Sequence, residues 1–173
     1  MTENTKKEIK ESMITYIKYR LTIQKFFLKT MTAAGISCNQ LYTLGGMQKA
    51  TFEKNFVNGI ASMDMCCRLS DLITSILKDI DRERNDTRSK NEPKSCLTLD
   101  FQNKLAELTI RKKYEYLNCS IDITKAFYTN NHRKKLKEEL LRIAHEEKLL
   151  PLENLLDKEH TRMNAMNKKE PKK

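Results

Sequence analysis

The sequence predicts an all-α protein, and three observations carry that prediction. Gly numbers 4 and Pro 3 in 173 residues, too few for the turns an all-β fold consumes, whereas long helices need neither. Apolar residues recur at helical spacing in several stretches. Residues that cap helices, and glycines that end them, fall at the edges of those stretches. The expected architecture is a compact helical N-terminal domain with a helix-turn-helix over 6–80, a polar linker over 81–98, and a basic helical domain over 99–160. A disordered tail over 161–173 completes it.

The first stretch opens on Thr5 and Glu8, spaced as a capping box. Ile9, Met13, Ile17, Leu21, Phe27 and Leu28 then mark a long helix over 6–34, in one piece or two, which Gly35 ends. Ser37 and Gln40 form a second capping box for a short helix carrying Leu41 and Leu44, stopped by Gly45-Gly46. A third helix, roughly 48–57, carries Phe52 and Phe56 on one face, and Asn58-Gly59 closes it. Ser62 caps a fourth, with Asp64 in its first turn and Met65, Leu69, Leu72, Ile73, Ile76 and Leu77 on its apolar face. The run DRERNDTRSKNEPKSCLT is polar, contains Pro93 and reads as the linker.

Beyond it, Asp100 can cap a helix carrying Phe101, Leu105, Leu108, Tyr114 and Leu117. A break near Cys119-Ser120 and a short helix over 121–128 come next. A strongly basic helix follows over 132–149, with Leu136, Leu140, Leu141, Ile143 and Ala144 inside. Pro151 is placed to open a last helix carrying Leu155 and Leu156. Phe127, Leu136, Leu140 and Ile143 repeat the order of Phe56, Met65, Leu69 and Leu72 at one constant offset. Apolar residues at helical spacing match by chance easily, so no repeat is read from this.

Lys and Arg number 33 against 23 Asp and Glu, a net charge of +10. The excess is clustered, which favours a polyanionic partner over a merely solvated surface. Five cysteines, Cys38, Cys66, Cys67, Cys96 and Cys119, are an odd set without metal-ligand spacing, as expected of reduced thiols in the cytoplasm. Neither a signal peptide nor a membrane-spanning apolar run is visible, so no membrane partner is expected. His132, His145 and His160 are far apart and suit surface positions better than a metal site. Glu138, Glu139, Glu146 and Glu147 are spaced for ion pairs with Lys135, Arg142 and Lys148. No catalytic pairing, cofactor or metal is expected, and the chain does not read as an enzyme.

The closely spaced breaks at Gly35, Gly45-Gly46 and Asn58-Gly59 leave two short helices joined by a tight glycine turn. This unit places one helix in a DNA major groove, which is about 12 Å wide. Phe52 and Phe56 would anchor the reading helix from behind. Gln48, Lys49, Thr51 and Lys54 would face the bases, where Gln pairs with adenine edges and Lys with guanine. Arg133, Lys134, Lys135 and Lys137 form the densest basic cluster and suit phosphate contact as well as a solvated face.

The segment GISCNQLYTLGGMQKATFEKNFVNG, followed by MDMCCRLSDLITSIL, resembles the Cro/Xre family of lambda-repressor-like helix-turn-helix proteins. Gly35-Ile36-Ser37 matches the opening before the family's second helix, Leu41 its core leucine, and Gly46-Met47 its turn glycine and apolar neighbour. Phe52 and Phe56 match the anchors, Asn58-Gly59 the end of the third helix, and Leu69 and Leu72 the helix after it. The resemblance covers roughly residues 23–77. It implies a dimeric DNA-binding transcriptional regulator, with Asn39 added to the DNA-facing set. Three features depart from the pattern. Cys38 stands where the family usually has a phosphate-touching glutamine, Tyr42 where a small alanine lets the helices approach, and Phe52 and Phe56 are one residue further apart. Duplex DNA is the expected partner. RNA, or an acidic protein bound by the same scaffold in an adaptor or inhibitor, is the alternative.

Overall fold

The computed structural model describes residues 2–111 and 132–152. Among them every regular element is helical. These are α1 (Glu3–Ala34), α2 (Cys38–Leu44), α3 (Lys49–Phe52, prolonged by a π turn over Glu53–Val57), α4 (Met63–Thr87), α5 (Leu97–Arg111) and α6 (His132–Glu146). The all-α class is therefore observed. The expected helix over 121–128, the last helix beyond Pro151 and the tail lie outside the described residues.

α1 is the spine. Its 32 residues span roughly 48 Å at 1.5 Å per residue. Met13, Ile17, Leu21, Gln24, Leu28 and Met31 are buried along it, the three- and four-residue steps that line one helix face. α4, α5 and α6 all pack against it. The helix begins earlier than expected, because Thr2 and not Thr5 is the cap: the Thr2 hydroxyl accepts from the Thr5 amide at 3.2 Å. Gly35 ends it at φ 73°, where its N–H closes on the Met31 and Thr32 carbonyls. That left-handed conformation has no steric cost only for glycine.

The capping box before α2 forms as read. The Gln40 amide donates to Ser37 Oγ at 3.1 Å, and the Ser37 amide donates to Gln40 Oε1 at 2.8 Å. Four residues, 45–48, then separate α2 from α3. In that turn the Gly45 and Met47 amides close on the Leu41 and Tyr42 carbonyls. Arg68 of α4 donates to the Gly45 carbonyl, so the turn is held from outside as well as from within.

α3 departs from the expected regular helix. After Phe52 it widens into a π turn, in which the Asn58 amide reaches the Glu53 carbonyl at 2.8 Å. Phe52 and Phe56, four residues apart and so on one face, are both fully buried. Their ring centroids are 5.2 Å apart. A row of rings continues from them: Tyr42 is 5.8 Å from Phe52, Phe27 is 6.4 Å from Phe56, and Phe101 is 5.8 Å from Phe27. Each such pair adds about 0.5–1.5 kcal/mol to plain burial. The row ties α2 and α3 through α1 to α5.

Ser62 caps α4 as expected, accepting from the Met65 amide at 3.1 Å. α4 runs to Thr87 and α5 starts at Leu97, so the stretch 81–98 is helical at both ends and not linker throughout. Asp81 joins the two helices. Its Oδ1 accepts from Ser95 Oγ at 2.6 Å and the Leu97 amide at 3.0 Å, and its Oδ2 from the Thr98 amide at 2.9 Å and Thr98 Oγ1 at 2.8 Å. Asp81, and not Asp100, thus supplies the cap of α5. Burial pushes the Asp81 carboxyl up, but these hydrogen bonds outweigh it and hold the group at about 2. In α6, Ile143 and Ala144 are buried and Arg142 pairs with Glu139 and Glu146.

Candidate nucleic-acid interface

α3 is presented by what lies behind it. Phe52, Phe56 and Val57 face the core, while Gln48, Lys49, Thr51 and Lys54 are exposed. The four expected base-facing residues are therefore all solvent-exposed along the segment from the cap of α3 to its π turn. Asn39, on the first turn of α2, is exposed too, and its Oδ1 accepts from Thr43 Oγ1 at 3.0 Å. Asn39 and Lys49 meet at a shallow cleft of about 380 Å³ between α2 and α3, with Cys38, Tyr42 and Glu53 in its lining. Lys49 Nζ lies 3.9 Å from Glu53. An exposed i, i+4 pair of this kind is weak, about 0.3–0.5 kcal/mol, and leaves the ammonium available to a phosphate or base edge.

Tyr42 and Cys38, the departures from the family pattern, are both accommodated. The Tyr42 ring is half-buried against Phe52, and the two helices leave room for it. Burial pushes the Cys38 thiol up, and the Glu53 carboxylate adds to the shift. The thiol thus stays protonated and weakly nucleophilic at neutral pH.

Lys54 belongs to a different neighbourhood. It lines a groove with Lys137 of α6 and the loop over 58–62, which places the basic helix beside the far end of α3. Lys134 and Lys135 are exposed on α6. Arg133 belongs to the same helix, but its side chain lies outside the described residues. Lys54 and Lys137 thus line one groove, whereas Asn39 and Lys49 meet at a separate cleft.

Two residues that govern this placement escape sequence reasoning. Gln24 is fully buried in α1. Its amide nitrogen donates to the Phe56 and Gly59 carbonyls at 2.8 and 2.9 Å, and its oxygen accepts from the Ala61 amide at 2.8 Å. Arg20, one turn earlier, is also buried and donates to the Ala61 carbonyl. Together they fix the loop that follows α3. One signal was present: Gln24 falls on the apolar stripe of α1, where a polar side chain needs a buried partner. Gly59 lets the loop close, since a Cβ there would sit 2.5 Å from the Lys54 carbonyl oxygen.

Among the described residues no group of three His, Cys, Asp or Glu side chains is placed to hold a metal ion, and no helix is long and apolar enough to cross a membrane. The fold and site define an all-α chain that displays a short polar helix after a glycine turn. Comparison with protein-family models, with curated proteins and with solved structures finds no match. The resemblance to the Cro/Xre family accordingly rests on the residues quoted for it.

Proposed function

We propose that this protein binds duplex DNA through the exposed side of α3 and acts as a transcriptional regulator in the cytoplasm, as a dimer. The observation that carries the reading is the two-sided character of α3. Phe52 and Phe56 hold it from the core, while Gln48, Lys49, Thr51 and Lys54 are exposed. A short helix anchored in this way is what a major groove admits. Asn39 beside Lys49, and Lys134, Lys135 and Arg133 on α6, would take the phosphates on either side.

The test is duplex binding by fluorescence anisotropy across a salt series. The logarithm of the affinity should fall linearly with the logarithm of salt, by about 0.9 for each phosphate neutralised. A selection from randomised duplexes supplies the preferred sequence. Absence of duplex binding by folded protein at low salt removes the reading, and preference for single-stranded RNA replaces it with another.

A protein partner is the second reading. It is favoured by Leu99 and Ile110, 56% and 71% exposed, which lie three turns apart on α5 and so share a face. A partner captured from the native host that survives nuclease treatment would support it.

A further inference from the structure

The groove between the loop over 58–62 and α6 has the character of a ligand site. Its volume is about 640 Å³, within the roughly 300–1,000 Å³ typical of small-molecule pockets. Ile60, Met65, Leu136 and Leu140 give it an apolar wall, and Arg20, Lys54, Lys137 and His145 the basic one. Among the described residues, no Asp or Glu lines it.

Arg20 is the decisive group. It is only 6% exposed. Its guanidinium donates to the Ala61 carbonyl and, at 3.2 Å, to the Tyr16 hydroxyl, and it lies 5.9 Å from the centre of the Tyr16 ring. These are neutral partners. No carboxylate pairs with Arg20 among the described residues. A buried cation is normally matched by an anion, because neutral acceptors repay only part of its lost hydration. Nucleic-acid phosphates do not suit the groove, since its apolar wall offers nothing to a hydrated backbone.

We propose that this groove binds a small amphipathic carboxylate, its hydrocarbon body against Ile60, Met65, Leu136 and Leu140 and its carboxylate toward Arg20, Lys54 and Lys137. The occupant follows from the lining: the apolar wall selects the body and the unmatched cations select the charge. Because Lys54 is also one of the exposed residues proposed to face the duplex, an occupied groove withdraws one cation from the duplex. This regulatory consequence rests on the DNA-binding reading, whereas the binding itself does not.

The experiment is calorimetric titration of the full chain with laurate, below the concentration at which laurate self-associates. Saturable binding at about one equivalent is expected, with a raised melting temperature. Lys137→Glu, an exposed substitution that circular dichroism should show to be folded, is expected to weaken laurate by about tenfold or more. Dodecyltrimethylammonium, with the same tail and the opposite charge, should not compete. Absence of saturation, equal binding of the cationic amphiphile, or wild-type affinity in Lys137→Glu would each overturn the proposal. Duplex affinity measured with and without laurate separates the two readings. If no duplex binds at all, the DNA reading fails and the isotherm still decides the groove. If a duplex binds with equal affinity in both, the regulatory consequence is lost.

Discussion

The cleft between α2 and α3 and the groove between α3 and α6 are built in opposite ways. The cleft is local: Cys38, Asn39, Tyr42, Lys49 and Glu53 come from one short stretch, and a capping box and a glycine turn place them. The groove is assembled at long range. Arg20 from α1, Lys54 and Ile60 after the turn, and Leu136 and Lys137 from α6 converge on it. The two share one support, the buried Gln24 amide that holds the end of α3 and the loop beyond it. The lesson is that the exposed face of α3 depends on its neighbours as much as on its own sequence.

The comparison can be broken most severely through the core behind the cleft. Phe52→Ala empties a fully buried aromatic position between the cleft and the core and should cost about 3–5 kcal/mol, read as a lower urea midpoint. A domain of marginal stability, about 5–15 kcal/mol, would lose a large fraction of it. Gln24→Leu comes next. It leaves the Phe56 and Gly59 carbonyls and the Ala61 amide without their partner and should cost about 2–4 kcal/mol, with the groove disturbed more than the cleft. A stability equal to that of the wild type would show that the loop does not need the clamp.

Smaller effects sharpen the contrast. Asp81→Ala removes the cap that joins α4 to α5, far from both sites, and should cost about 1 kcal/mol after solvent screening. Because the folded Asp81 carboxyl titrates below its ordinary value, its stabilisation is fully present above the unfolded value. It is lost as the pH falls toward about 2. The difference in stability between wild type and Asp81→Ala should therefore shrink over that acid range, measured by thermal melts. A difference that stays constant would remove the ionised carboxylate from the account. Smallest of all on the fold is Lys134→Ala with Lys135→Ala, expected within about 0.5 kcal/mol of the wild type. The same pair should reduce the salt slope of duplex binding by about two.

How much was legible follows the same division. Ser37 with Gln40, Gly35, Gly45-Gly46 and Ser62 carry short-range signals, and the helix boundaries at these residues fell where expected. The exposure of Gln48, Lys49, Thr51 and Lys54 followed from the burial of Phe52 and Phe56, whereas the division of Lys49 and Lys54 between a cleft and a groove did not. The π turn was not legible, because one added residue of winding leaves the spacing of the two phenylalanines unchanged in the sequence. The extension of α4 to Thr87 was missed because its apolar face fades after Ile80. What shapes the connection after it is Asp81, through partners 14 to 17 residues away. Gln24 bonds to groups 32 to 37 residues distant, and no periodicity encodes such a contact.

The central claim concerns the outward side of α3, and the sequence preference of duplex binding tests it most directly. Wild-type protein and a Gln48→Ala, Lys49→Ala double variant would be titrated against the selected duplex and a scrambled one. The account predicts that the wild type discriminates and that the variant, equally stable, binds both duplexes alike. Full discrimination by the variant, or no duplex binding by the folded wild type, would contradict it.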